Sequence, residues 1–313
     1  MRRKRYIVAC LAGDGVGPEL TGEASRALAA VSRMHGFEIE ELHAPFGREA
    51  VPRYGHALPP ETRDTYRAAD AVLVAATRDP AIEGVKADLD LTWRIQRVRR
   101  PQGADLAIVS PLVAEGEALA IERAFDLARS RRARLSLVCE SAEFRARVER
   151  LARRHEGVLT EQLSLADALP VLAREPERFC AIVTEEHFVD ALSEMAAFGG
   201  NGSRTVASGR LSHHGPGIFG PTHGSAPDIA GQGVANPAGM LLAAALMLGE
   251  GLGERSAART LERALTHTIE SGVHTPDLPG TGTAATTRSF MDAVLELLPG
   301  ARTDVEFHPE YVV

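Results

Sequence analysis

The sequence predicts an α/β fold built on an open sheet that carries helices on both faces. Two observations lead there. Short, wholly apolar runs recur along the chain, of which Tyr6–Ala12 and Ala71–Ala76 are the clearest, and amphipathic stretches of helical length separate them. Runs without a polar face belong to strands covered on both sides, as in parallel sheets.

Taken in order, Tyr6-Ile-Val-Ala-Cys-Leu-Ala12 is a buried strand, and Gly13-Asp-Gly-Val-Gly-Pro-Glu19 turns it into a helix. Pro18 suits the first helical turn, where its missing N–H costs nothing, and Glu19 is favourable beside the exposed amides. That helix runs through Ala27 to Met34, and Phe37 begins the next strand. A helix over Pro60–Ala68 precedes the strand at Ala71. Asp105–Val109, Arg134–Val138 and Phe179–Val183 are three more strands, with helices over Ala118–Arg131 and Ala142–Arg154. After residue 237 come a long apolar helix, a helix over Ala258–Glu270 and a closing helix over Thr286–Leu298. Asp304–Pro309 reads as either a short strand or a disordered tail.

At 313 residues the chain can form one large or two medium domains, and its 44% hydrophobic, 25% charged and 5% aromatic residues are an ordinary globular balance. The formal net charge of −7 argues against a general nucleic-acid binder. Lysine occurs at Lys4 and Lys86 alone. Met1-Arg-Arg-Lys-Arg5 resembles the basic end of a signal peptide, but the apolar run after it is too short, and no other stretch reaches a membrane span. A cytoplasmic protein without a membrane partner is expected. Cys10, Cys139 and Cys180 are scattered, and Cys10 and Cys180 read as reduced core thiols rather than ligands.

The glycines at 13, 15 and 17 miss the G-x-G-x-x-G spacing of a dinucleotide fingerprint, so that turn is a tight strand-to-helix link without a grip on pyrophosphate. The segment His223-Gly-Ser-Ala-Pro-Asp-Ile-Ala-Gly-Gln-Gly-Val-Ala-Asn-Pro237 says more. It is a loop pinned by Gly and Pro ahead of an apolar helix. It can wrap an adenosine, with Asp228 accepting from a free ribose diol and repelling a 2′-phosphate.

By this segment above all, the chain resembles the β-decarboxylating dehydrogenases, the isocitrate and isopropylmalate dehydrogenase family. The resemblance covers nearly the whole chain and implies an isopropylmalate dehydrogenase-like, two-domain open sheet with the active site in the cleft between domains. Residues 1–96 plus 206–313 would form the nucleotide-binding domain, and 97–205 the domain carrying the metal, the substrate side and the dimer contact. It implies NAD as cofactor, held by His223, Gly224, Ser225, Ala226, Asp228 and Asn236, with Asn236 on the adenine edge and Asp228 on the ribose. Asp277, in Thr275-Pro-Asp-Leu-Pro-Gly280, reads as a loop cap. Phe188-Val-Asp-Ala-Leu-Ser-Glu194 resembles the family's Phe-Gly-Asp-Ile-Leu-Ser-Asp, so Asp190 and Glu194, four apart on one helix face, would offer oxygens to Mg²⁺ or Mn²⁺. The third carboxylate, from the partner subunit in the family, maps onto Asp167. A homodimer is therefore expected.

Departures gather at the substrate end. Leu89-Asp-Leu-Thr-Trp-Arg-Ile-Gln-Arg97 resembles the family's Leu-Asp-Leu-Tyr-Ala-Asn-Leu-Arg-Pro, which puts Gln96 in place of an arginine and Arg97 in place of the proline. Ser110 replaces a further arginine, and Glu185 and Glu186 replace a small residue and an asparagine. Glu140 stands where the family keeps its catalytic lysine, and no tyrosine lies between Tyr66 and Tyr311. The middle domain is shorter by an arm-sized amount. Arg94, Arg97, Arg99 and Arg100 form a basic cluster that either binds a carboxylate or phosphate or is a solvated linker face. Glu140 is the candidate general base, provided burial raises its pKa, while Asp190, Arg94 and Arg97 complete the expected catalytic set. His213 and His214 read as exposed loop residues.

The expectation is an NAD-dependent oxidoreductase of a small anionic 2-hydroxy acid with atypical catalytic residues. A catalytically silent nucleotide-binding homologue and an enzyme of altered reaction type in a biosynthetic pathway are the alternatives.

Overall fold

The computed structural model describes residues 3–75, 80–100, 105–198, 205–278 and 280–298. It divides into two compact units, Met1–Asp90 with His214–Val313, and Leu91–His213. The first unit opens with β1 (Arg5–Leu11), α1 (Gly17–His35), β2 (Glu38–His43), the short α2 (Val51–Tyr54), α3 (Pro60–Ala68), β3 (Ala71–Val74) and α4 (Ala81–Asp88). The second unit holds β4 (Leu91–Arg99), β5 (Asp105–Pro111), α5 (Glu117–Arg129), β6 (Arg134–Val138) and α6 (Ala142–Ala152). It continues through β7 (Leu159–Leu163), α7 (Leu165–Arg174), β8 (Ala181–Thr184), α8 (Val189–Phe198) and β9 (Thr205–Ser212). The chain then returns to the first unit with β10 (Gly217–Pro221), α9 (Ala238–Leu246), α10 (Arg255–Glu270) and α11 (Thr287–Glu296).

In the first unit the strands lie in the order β2-β1-β3-β10, and each neighbouring pair is parallel. β1 and β3 are buried almost throughout, as the lack of a polar face requires. α1 carries Pro18 and Glu19 in its first turn and ends at Gly36, whose φ of 75° lets its N–H cap the Ser32 carbonyl. α9 is apolar on every side and every one of its residues is buried, packed by α1, α10 and β10.

The second unit has the strand order β9-β4-β5-β8-β6-β7. β4 runs antiparallel to both β5 and β9, whereas β5, β8, β6 and β7 pair in parallel. Boundaries expected after residues 96 and 205 would cut into β4 and β9, which pair along nearly their full length. The division falls after Asp90 and His213 instead. One face of this sheet contributes Val98, Leu106, Ile108, Val138, Ile182 and Val206 to an apolar core with Val189, Leu192 and Ala196 of α8 and with Leu172 of α7. α5 packs on β5, β8 and β4.

The antiparallel β4 is a finding that the residue pattern hid. Arg94, Gln96, Arg97 and Arg99 interrupt its apolar residues, yet residues 93–98 are buried, with Arg94 and Arg97 paired to acids from neighbouring elements. The basic cluster is therefore not a solvated linker. β7, with Glu161 and Gln162, and the glycine-bearing β9 and β10 were likewise unmarked by apolar runs. The tail at 304–309 lies outside the described residues. Among the described residues no helix is long and apolar enough to cross a membrane.

Candidate functional site

In the first unit the loop at 223–237 is tied to the first strand-to-helix turn. Val16 donates its N–H to the Ser225 carbonyl at 2.9 Å. Gly15, at φ +64°, passes so close that a Cβ there would sit 1.9 Å from that same carbonyl oxygen. The glycine-rich turn thus has a structural task, which is to admit the loop. Ala226 adopts a positive φ of 38° and starts a tight turn, with Ile229 N–H on its carbonyl at 3.2 Å. Glu19 of α1 is reached by the Gly233 backbone, and burial raises its pKa in spite of that bond. Thr287 closes the far end, donating its hydroxyl to the Ala235 carbonyl at 2.7 Å and its N–H to that of Gly233 at 2.8 Å.

Within this frame the side chains divide their work. Asn236 Oδ1 accepts from the Ala238 N–H at 2.9 Å, capping α9, and its amide donates to Asp277 Oδ2 at 3.1 Å. Asp277 also accepts from the Thr275 hydroxyl at 2.5 Å. His223 is half-buried, with Nδ1 2.9 Å from the Gly224 carbonyl. Asp228 is exposed, and Gln232 holds its backbone carbonyl at 2.8 Å. Gly224, Ser225 and Ala226 are half-buried. The six residues expected to hold a cofactor therefore lie in one braced loop, with one exposed carboxylate.

In the second unit a polar group sits on the same sheet face as the apolar core, toward the other end of β4. Arg94 pairs across the sheet with Ser110 and Arg210, and Gln96 with Ser208. Glu186 enters above them from the turn after β8. Its Oε1 accepts from Arg94 at 2.9 Å and from Arg210 at 3.2 Å, and its Oε2 accepts from the Ser110 hydroxyl at 2.6 Å. The second arm of the Arg94 guanidinium reaches Asp190 Oδ1 at 2.5 Å, and Gln96 Nε2 approaches the same oxygen at 3.5 Å. Burial opposes charge on Asp190, but the Arg94 hydrogen bond and charge, with help from Arg210 and Gln96, hold its carboxyl below the ordinary range. Arg94 Nε and Gln96 Oε1 are buried without a hydrogen-bond partner among the described residues. Each is an opening for one further polar group.

The other expected residues are dispersed. Arg97 points to the opposite face of β4, where it pairs with Asp105 at 2.6 Å, so it does not join Arg94. Glu140 is exposed after β6 and its N–H donates to Glu185 at 2.8 Å, so its own chain does not supply the burial expected of a general base. Asp190 and Glu194 are exposed on one face of α8. Asp167 lies in the first turn of α7, bonded reciprocally to Ser164 at 2.6 and 3.1 Å. It does not gather with Asp190 and Glu194 into one ligand set among the described residues of a single chain. His213 and His214 are exposed. Glu186 is the residue that the sequence left without a role. Its only signal was the exchange of a neutral residue for an acid, and its partners come from three separate strands.

Both units fall within one match to a known dehydrogenase family. The family model for isocitrate/isopropylmalate dehydrogenase matches residues 7–103 and 95–294. The chain is 34% identical to 3-isopropylmalate dehydrogenase of Parasynechococcus marenigrum (strain WH8102), over 94% of this chain and 99% of that one. It is 33% identical to the enzyme of the same name from Synechococcus sp. (strain CC9605), over 89% and 95%. Its fold matches the crystal structure of isocitrate dehydrogenase from Methylococcus capsulatus with a TM-score of 0.78 at 25% identity, covering 94% of this chain and 99% of that one. It matches a β-decarboxylating dehydrogenase from Thermococcus kodakarensis with a TM-score of 0.77 at 26% identity, covering 94% and 96%. The chain belongs to the isocitrate/isopropylmalate dehydrogenase family.

Proposed function

We propose that this protein is an NAD-dependent dehydrogenase of a small 2-hydroxy acid, working as a cytoplasmic homodimer with Mg²⁺ or Mn²⁺. One observation carries the reading: within a family match that spans both units, the nucleotide loop keeps an exposed Asp228 carboxylate on a rigid frame. The carboxylate repels a 2′-phosphate and accepts from a free diol, which favours NAD over NADP. The loop fits an adenosine because its strained backbone is already fixed by Val16, Gly233 and Thr287, so little ordering entropy is lost on binding. Carboxylate oxygens on one exposed face of α8 suit a hard divalent ion, with Asp190 and Glu194 as donors and Asp167 supplied by a second copy.

When bound, NAD would accept the hydride from the carbinol carbon, and the divalent ion would stabilise the alkoxide. Arg94 binds the substrate carboxylate through the guanidinium arm that now holds Asp190, which frees that carboxylate. Glu140 takes the hydroxyl proton, shielded by a second subunit. Gln96 and Ser110 present neutral polar groups where the family keeps arginines.

The Glu186 bridge favours a substrate less charged than isopropylmalate or isocitrate. Its two arginines share one carboxylate of the protein, which cancels one of their two charges. A single carboxylate on the ligand then balances what remains. Titration calorimetry with NAD, NADP and AMP, with and without magnesium, tests the binding half of this reading. Tight NAD binding with weak NADP binding is expected, and equal affinities would contradict it. Absence of nucleotide binding would sink the reading entirely.

A further inference from the structure

We propose that Cys10, Glu41 and His43 form a binding site for a divalent transition ion of the zinc class in the first unit, separate from the acidic face of α8. The three residues come from neighbouring parallel strands, with Cys10 of β1 in register with His43 of β2 and Val8 with Glu41. Parity places all three on one face of the pair. Their ligand atoms all lie within 4.8 Å of one another, and no other set of three such groups converges in this way among the described residues. Glu41 Oε2 is 3.9 Å from Cys10 Sγ and 3.2 Å from His43 Nε2.

A tetrahedral ion with bonds of about 2.3 Å to sulfur and about 2.0–2.1 Å to nitrogen and oxygen needs donors about 3.3–3.6 Å apart. Glu41 and His43 are already about that far apart, and a turn of the thiol inward closes the remaining separations. The donor set also selects the ion. Thiolate and imidazole favour a borderline-soft metal over magnesium or calcium. Three protein ligands leave a fourth position for water. Thiolate and carboxylate together cancel the charge of a divalent ion, so the filled site is neutral. The Ser25 hydroxyl, presented by α1, donates to Glu41 Oε2 and orients the carboxylate. β2 is the outer strand of this unit's sheet and Glu41 and His43 are half-buried, which gives the ion an entry path.

Metal-free, burial and the neighbouring Glu41 carboxylate both push the Cys10 thiol well above its usual pKa. Metal binding therefore forms the sulfur–metal bond as the thiol proton leaves to solvent, with no change in oxidation state, and affinity rises with pH.

The test is titration of the reduced full-length protein with Co²⁺. One equivalent is expected to produce a thiolate-to-cobalt charge-transfer band and tetrahedral visible bands, displaced by Zn²⁺. Cys10→Ser should abolish the charge-transfer band, and Glu41→Gln and His43→Gln should weaken it at least about tenfold in affinity, while Asp190→Asn leaves it in place. Thermal melts of the metal-free variants check that each is folded, and the two ligand variants decide the matter if Cys10→Ser is not. No charge-transfer band at stoichiometric cobalt, or a band that persists in Cys10→Ser or follows Cys139→Ser or Cys180→Ser, overturns the proposal.

Discussion

One guanidinium arm of Arg94 lies 2.5 Å from Asp190 Oδ1, joining the residue proposed to bind the substrate anion to the first metal-ligand candidate of α8. Under the proposed function, the pair makes substrate and metal binding interdependent. A cation approaching Asp190 competes with Arg94, and a ligand carboxylate that draws Arg94 away exposes the Asp190 oxygens. Manganese should therefore bind weakly alone and at least about tenfold more tightly with a hydroxy-acid ligand, a coupling of about 1.4 kcal/mol. Calorimetry of Mn²⁺ with and without the acid measures it, and Asp190→Asn should remove the coupling.

Glu186→Gln should release Arg94 and Arg210 from a protein carboxylate they now share at 2.9 and 3.2 Å. Affinity for a dicarboxylate such as isopropylmalate is expected to rise by about tenfold, or about 1.4 kcal/mol. A competition assay against the preferred hydroxy acid reads the change. An unaltered preference would mean that Glu186 does not set the charge of the substrate.

Gly15→Ala would place a methyl 1.9 Å from the Ser225 carbonyl oxygen at a backbone φ of +64°. The loop at 223–237 must move away, and the Val16–Ser225 hydrogen bond at 2.9 Å is lost. NAD affinity should fall at least about tenfold, with a lowered melting temperature. Asp228→Asn, by contrast, should keep stability within about 0.5 kcal/mol, as expected of an exposed residue, and narrow the preference for NAD over NADP. Fluorescence titration of both nucleotides separates the two effects.

Arg97 and Asp105 give the clearest pH dependence. Arg97 is 7% exposed and its partner 35%, so removing the arginine in Arg97→Ala should cost about 2–3 kcal/mol, less than a wholly buried pair. Burial opposes the charge on Asp105, yet Arg97, Arg131 and Arg99 hold its carboxyl far below the usual carboxylate range. A depressed folded-state pKa stabilises fully above the unfolded value, about 3.9, and that contribution is lost as pH falls through the folded value. The wild-type advantage over Arg97→Ala in chemical denaturation should be constant near neutrality and shrink below about pH 4.

Much of the fold was legible because it rests on continuous apolar runs. β1, β3, β5, β6 and β8 announce themselves, and so does α9 after its Gly- and Pro-pinned loop. β4 was illegible for a physical reason: its arginines are buried by partners distant in sequence, and a pattern of charges cannot reveal which ones are satisfied. The same reason hid the candidate site. Arg94 and Arg97 look alike three residues apart, but the pleat sends one to Glu186 and Asp190 and the other to Asp105. Cys10 and His43 become neighbours only through the parallel register of β1 and β2.

The central proposal is NAD-dependent oxidation of a hydroxy acid at a site that carries Gln96, Ser110 and Glu140. Its most direct test is steady-state reduction of NAD with Mn²⁺, comparing monocarboxylic 2-hydroxy acids with isopropylmalate and isocitrate, in the wild type and in Glu140→Gln. A monocarboxylate should reduce NAD, but not NADP, at about 1–10³ s⁻¹, with isopropylmalate and isocitrate far slower, and Glu140→Gln should lower the rate by about 10²–10⁴-fold. Turnover of isopropylmalate or isocitrate at full enzymatic rates, or NAD reduction by none of the acids, would contradict it.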